Sequence, residues 1–168
     1  APPLPALDAY VPGVGLSVAF WLEDHGRATD GQTLLDGSAD GRGLRVTVAQ
    51  PGLNLSIADG SAAAELALDR RCGAVLAMGR HHVVFILDAA AKILRAAVDG
   101  ILCDGGRSAT RGWVWAPSLG NVSGARTWRV APDYGGSSLH GHVWSRALLT
   151  SEAVASFRAG KRSLASKS

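Results

Sequence analysis

Apolar and polar residues alternate along most of the chain, interrupted at short intervals by glycine, proline and Asp-Gly pairs. Leu16–Leu22 (LSVAFWL) is apolar almost throughout, which predicts a strand buried on both faces. Gln32–Asp36 follows, then the polar, glycine-rich loop Gly37–Gly43. Leu44–Ala49 alternates, and Gln50-Pro51-Gly52 ends it as a turn. Asn54–Ala58, a turn at Asp59-Gly60 and Ala63–Leu68 continue the meander. His82–Leu87 (HVVFIL) and Ile93–Val98 read as a hairpin turning at Ala89–Lys92, and Asp99-Gly100 is a two-residue hairpin turn into Ile101–Cys103. After a glycine-rich stretch come Trp113–Ala116, Thr127–Ala131 and Leu139–Trp144.

The pattern then changes once. In Ser137–Gly160 a strand and a tight Arg-Ala-Leu corner lead into a short helix. Thr150 or Ser151 is placed to cap its first turn, Glu152 suits its positive end, and Gly160 is placed to stop it. The prediction is an all-β, two-sheet antiparallel sandwich closed by one short C-terminal helix. Residues 15–160 form the domain, 1–14 an N-terminal extension and 161–168 a polar tail.

Composition agrees with one compact domain. The 168 residues are 47% hydrophobic and 18% charged, which excludes a disordered chain. The formal charge is +3 with scattered Lys and Arg, so no basic stripe points to nucleic acid. No apolar run is long enough for a membrane span. Ala1-Pro2-Pro3-Leu4-Pro5 reads as a mature end or a boundary after a Pro-rich linker. Asn54-Leu55-Ser56 and Asn121-Val122-Ser123 fit the glycosylation acceptor pattern and favour an extracellular location. Cys72 and Cys103 flank the hairpin at the same end, so either they form a disulfide or they are two separate buried thiols.

GLSVAFWLE, QTLLDGS, GLRVTV, HHVVFILDAAAKILRAAVDGILCDGG and WRVAPDYGGSSLHGHVWSRALLTSEAV resemble, in that order, laminin-G-like, concanavalin A-type lectin/glucanase jelly-roll domains. The resemblance spans about Gly15–Gly160. It implies two six- or seven-stranded sheets and frequent carbohydrate binding, often as an accessory module of a secreted glycoside hydrolase. It also implies calcium as a cofactor to consider, with Asp36 and Asp40 of the Asp36–Asp40 loop as oxygen ligands and Asp104 and Asp133 within reach in such a fold.

The same fold hosts glycosidases, lectins and structural modules, so function rests on the residues. Glycosidases need an acid and a second carboxylate flanking the scissile bond, and this chain has Glu only at 23, 65 and 152. Glu23-Asp24 are adjacent and point apart on a strand, and Glu152 lies on the closing helix, so hydrolysis is not predicted. Trp113 and Trp115 are two apart and share a face of a regular strand. They predict a stacking platform for sugar rings, with Arg111, Asp133 and Tyr134 selecting hydroxyls; the alternative is that both indoles cover the core. Trp21 and Trp128 read as core, and His140 and His142 as strand-face residues rather than metal ligands. The expected function is a non-catalytic carbohydrate-binding module of a secreted carbohydrate-active protein. Its partners would be an oligo- or polysaccharide and a neighbouring catalytic domain. A structural or protein-interaction module is the alternative.

Overall fold

The computed structural model describes residues 12–68, 72, 79–103, 113–124, 127–130 and 133–165. These contain β1 (Gly15–Asp24), β2 (Thr33–Asp36), β3 (Arg42–Ala49), β4 (Gly52–Asp59), β5 (Ala63–Leu68), β6 (Gly79–Asp88) and β7 (Ile93–Val98). The short strands β8 (Ile101–Leu102), β9 (Val114–Trp115) and β10 (Arg129–Val130) follow, then β11 (Ser137–Trp144) and helix α1 (Thr150–Ala165). Every strand pairing is antiparallel. One sheet has the order β11-β1-β6-β7-β8, with β9 also paired to β7; the other has the order β10-β2-β3-β4-β5. The two-sheet sandwich predicted from alternation is the observed architecture, with six and five strands among the described residues.

The register explains the alternation. Across the five-stranded sheet Val130, Leu35, Val46, Leu55 and Leu66 stand in one row, and the four from β2 to β5 are buried in the core. In the six-stranded sheet Ala96, Phe85 and Val18 form the facing row. Because side chains alternate with period two, these two faces meet as the sandwich interior.

β1 and β6 are apolar on both faces because α1 lies on the outer side of their sheet. Ala19, Val84, Ile86 and Ala97 form a second apolar cluster with Leu148 and Ala153. Ser17 fixes the corner before the helix: its hydroxyl donates to the Arg146 carbonyl and accepts from the Leu148 amide, both at 2.9 Å.

The helix differs from its prediction at both ends. Leu149, not Thr150 or Ser151, is the N-cap, its carbonyl accepting from the amides of Glu152 and Ala153. The Glu152 carboxylate returns a bond to the Leu149 amide at 2.8 Å while pairing with Arg146, so half of a capping box does the work without a capping hydroxyl. Gly160 does not end α1, which continues to Ala165 through the first part of the expected tail. A Cβ at Gly160 would fall 2.6 Å from the Trp21 ring, so this glycine lets the helix approach the sheet closely.

The turn chemistry is as read from the sequence. Asp99 and Gly100 both have positive φ (51° and 76°), as a type I′ hairpin turn requires. No helix among the described residues is long and apolar enough to cross a membrane.

Candidate functional site

β9 pairs with the free side of β7, setting Val114 opposite Leu94 and Trp115 opposite Ile93. Leu94 and Val114 face the core, so alternation turns Trp115 to the outer face, where it is 65% exposed. Trp113 is half-buried. The strand pairing and the bond from the Ala116 amide to the Lys92 carbonyl hold this segment at a defined height on the sheet edge. An exposed indole on ordered backbone offers a flat apolar surface at little conformational cost.

Arg95 is the neighbour that sequence reading missed. It shares the outer face of β7 with Ile93, diagonal to Trp115, and such diagonal pairs have Cα atoms about 7–8 Å apart, within reach of long side chains. One guanidinium nitrogen donates to the Leu148 carbonyl at 3.5 Å. Its Nε is buried without a hydrogen-bond partner among the described residues. The pairing β7–β9 joins residues 20 and 22 positions apart in sequence, and no local pattern announces it.

Asp133 and Tyr134 do not join Trp115. Gly136 sits between the Glu23 carbonyl and the Tyr134 ring, where an added Cβ would fall 2.4 and 2.7 Å from them. Trp115, in contrast, aligns through Ile93 and Asp88 with Gly15. Most of the length of β1, about 27 Å at the antiparallel rise, separates the two places. Tyr134 is moreover a core residue, 7% exposed, and burial pushes its hydroxyl up to about 12, helped by the charge of Asp24. Asp133 is exposed beside it. Arg111 and Asp104 lie outside the described residues.

Asp36 and Asp40 are not arranged as cation ligands. Asp36 is buried, and its Oδ1 accepts from the Ser38 amide and hydroxyl. Its Oδ2 is shared by the guanidinium groups of Arg45, at 3.2 Å, and Arg129. Burial alone would raise the pKa of this carboxyl, but the bonds from Ser38, Arg129 and Arg45 together hold it well below the usual carboxylate range. Its lone pairs are occupied and its charge is already countered, which leaves nothing for calcium to gain. Asp40 instead forms a tight turn with Gly41, at φ 52° and 73°, closed by the pairing of Ala39 with Arg42. Among the described residues no three His, Cys, Asp or Glu side chains are grouped to hold a metal ion. Cys72 and Cys103 are both buried members of the main core cluster.

Asp36 also belongs to a feature visible only in the sheet. Arg129, Asp36, Arg45, Ser56 and Glu65 form one row across all five strands on the outer face. Beside this row, a cleft of about 380 Å³ opens between the Ser38–Gly43 hairpin and β4.

The comparisons with known proteins agree with this architecture. The binding domain of botulinum neurotoxin serotype D superposes with a TM-score of 0.68 at 11% identity, over 88% of this chain and 37% of that one. The binding domain of botulinum neurotoxin DC in complex with rat synaptotagmin II gives 0.64 at 12%, over 88% and 36%. The same domain in complex with SialylT gives 0.67 at 11%, over 86% and 35%. This chain therefore spans little more than a third of those it superposes on, and the likeness is one of fold. A sequence search of curated proteins finds no match. The profile of the concanavalin A-like lectin/glucanases superfamily, in its laminin G form, covers residues 4–154. With two antiparallel sheets in the jelly-roll arrangement and a profile match over most of its length, the chain belongs to the concanavalin A-like lectin/glucanases superfamily.

Proposed function

We propose that this chain is a non-catalytic carbohydrate-binding module of a secreted carbohydrate-active protein, a glycoside hydrolase among the candidates, and that Trp115 stacks on the sugar. The observation that carries the reading is the exposure of this one indole on a paired strand, since an indole that only covered the core would be buried. Arg95 and Arg111 are the groups proposed to take hydroxyls, with half-buried Trp113 as the second indole of the platform. The partner is an oligo- or polysaccharide, with a catalytic domain elsewhere in the parent protein.

The glutamates support a role without catalysis. A general acid for glycoside cleavage needs a raised pKa. Glu23 is lowered by its bond to Arg80 at 2.9 Å, and Glu152 is lowered to about 2 by Arg146 and the Leu149 amide. Glu65 is exposed on the outer face of β5, beside Ser56 and three strands from Asp36. The exposed Asn121 supports the extracellular reading.

Trp115→Ala is expected to weaken binding to the best ligand of a glycan array at least tenfold, about 1.4 kcal/mol, while unfolding stability stays within about 0.5 kcal/mol. Unchanged binding would sink the platform. A second reading, protein interaction, draws on Ile101 and Leu102, exposed on β8 along the same side of β7. Failure of every glycan to bind, with capture of a protein ligand lost in Ile101→Ser, would favour it.

For Cys72 and Cys103 we propose a disulfide, supported by their burial in one core. Intact mass under denaturing, non-reducing conditions should rise by about 2 Da on reduction, each bridge gaining two hydrogens. No change would establish two thiols.

A further inference from the structure

We propose, resting on the stacking role given to Trp115, that the sugar held there is a uronic acid. Its ring carboxylate is taken by Arg95, which then binds a charged group rather than a hydroxyl.

The outer face of β7 carries Ile93, Arg95 and Ala97 in turn. Ala97 belongs with Leu148 and Ala153 to the cluster beneath α1, whereas Ile93 and Arg95 keep part of their surface in water. Exposed Trp115 stands beside Ile93 on one side of the strand. On the other side Arg95 pairs with Ile86, and Ile86 with Ser17, whose hydroxyl fixes the corner between β11 and α1. The bond from Arg95 to the Leu148 carbonyl lays its guanidinium across the face toward that corner. The open stretch is thus bounded by the indole at one side and the guanidinium at the other. Diagonal neighbours of this kind have Cα atoms about 7–8 Å apart, so one sugar ring can touch both side chains.

Arg95 is poorly provided for by the protein itself. Its Nε is buried with no hydrogen-bond partner, and the bond to the Leu148 carbonyl, at 3.5 Å, is long for an N–H donor. It has no ion pair with a described residue. Two carboxylates stand near, and both are engaged elsewhere. Asp88 lies diagonal to Arg95 across β6, but its Oδ1 accepts from the amides of Ala90 and Ala91, at 3.1 and 3.0 Å. Glu152 is paired with Arg146 and bonded to the Leu149 amide. An arginine cannot shed its charge, and a partly desolvated charge is costly unless it is paired. A sugar hydroxyl would satisfy one donor but not that charge. A carboxylate would do both, because its two oxygens match the two terminal nitrogens left facing out once Nε is buried.

The test is a binding titration with oligosaccharides of glucuronate, galacturonate, mannuronate and guluronate, each beside its carboxyl-reduced neutral form. At least one acid should bind fivefold or more tightly than its reduced partner, and added salt should narrow that gap. Arg95→Gln should close the gap while leaving the neutral form as it was, and Trp115→Ala should weaken both members of the pair. Should Arg95→Gln fail to fold, Arg95→Lys carries the same test: it keeps the charge but loses the fork, so a preference as large as the parent's would count against the proposal. Acid and reduced forms binding equally well, with both weakened by Trp115→Ala, would overturn the carboxylate assignment and leave the stacking role intact. A preference for the acid that persists in Arg95→Gln would remove Arg95 from the site. Binding of no saccharide at all would overturn both readings together.

Discussion

Replacing Phe85 with alanine is expected to lower the free energy of unfolding by about 3–5 kcal/mol, the usual cost of deleting a buried aromatic ring. Phe85 is 2% exposed at the middle of β6, between Val18 and Ala96, with its ring 6.2 Å from that of Phe20. It stands where the two inner faces meet, so the lost volume cannot be filled by solvent or by a side chain from the surface. Domains of this size are stable by roughly 5–15 kcal/mol, so the loss takes a large share of the total. Urea denaturation measures the loss from the shifted midpoint at constant slope. A loss below about 1.5 kcal/mol would mean that the interior repacks around the gap and that Phe85 is not central to the core.

The second large effect is a loss of stability in mild acid, centred on His82. Its ring lies between β6 and α1, 2% exposed, 5.0 Å from the ring of Trp21 and 6.1 Å from that of Phe157, with Nε2 3.4 Å from the Ser156 hydroxyl. Nδ1 is buried without a hydrogen-bond partner among the described residues. Burial pulls its pKa from 6.5 down to about 4; the charge of Asp99 opposes the shift and His142 adds to it. Between those two values the unfolded chain holds a proton that the folded chain does not, so stability falls as pH drops from about 6.5 to about 4. The loss should be on the order of 3 kcal/mol, at 1.36 kcal/mol per pH unit. The carboxylates act in a different window. Asp36 and Asp59 are held well below the usual range, Asp59 chiefly by the amides of Ala62, Ser61 and Gly120, so they stabilise above about pH 3.9 and lose that contribution only below it. Unfolding measured at pH 7, 5.5 and 4.5 should therefore slope downward in the parent protein and flatten in His82→Phe. A parent protein equally stable at all three would contradict the buried neutral histidine.

The strands were legible because each is short, alternating and bounded by turn residues that have few other uses. Ala63–Leu68 and Ile93–Val98 were read to the residue, and the Asp99-Gly100 turn has the positive φ values its composition demands. The double-sided burial of Leu16–Leu22 was legible too, since a strand with one wet face could not be apolar throughout. The helix ends were less so. Gly160 looks like a stop from one side of the chain only. Its role is set by Trp21, far away in sequence, whose indole occupies the space a side chain would need. Thr150 and Ser151 looked like caps because hydroxyls often are, yet Glu152 satisfies the first amide from inside the helix.

The candidate sites divide in the same way. Trp115 could be singled out from the sequence, because a Trp-x-Trp pair in a glycine-rich stretch stands out from a background of small apolar residues. That Tyr134 would be core, that Arg95 would stand beside the indole, and that Asp36 would be bound by two arginines could not.

Local order along the chain determined the strands, the turns and the closing helix, and with them the family, since period-two burial and turn chemistry act over a few residues. Only the tertiary structure decided which strands are neighbours, and therefore which side chains share a face. Arg129, Asp36, Arg45, Ser56 and Glu65 come from five different strands and form a single row solely because the backbone hydrogen bonds hold that register. Sites on a sheet are built across strands, perpendicular to the direction in which a sequence is read.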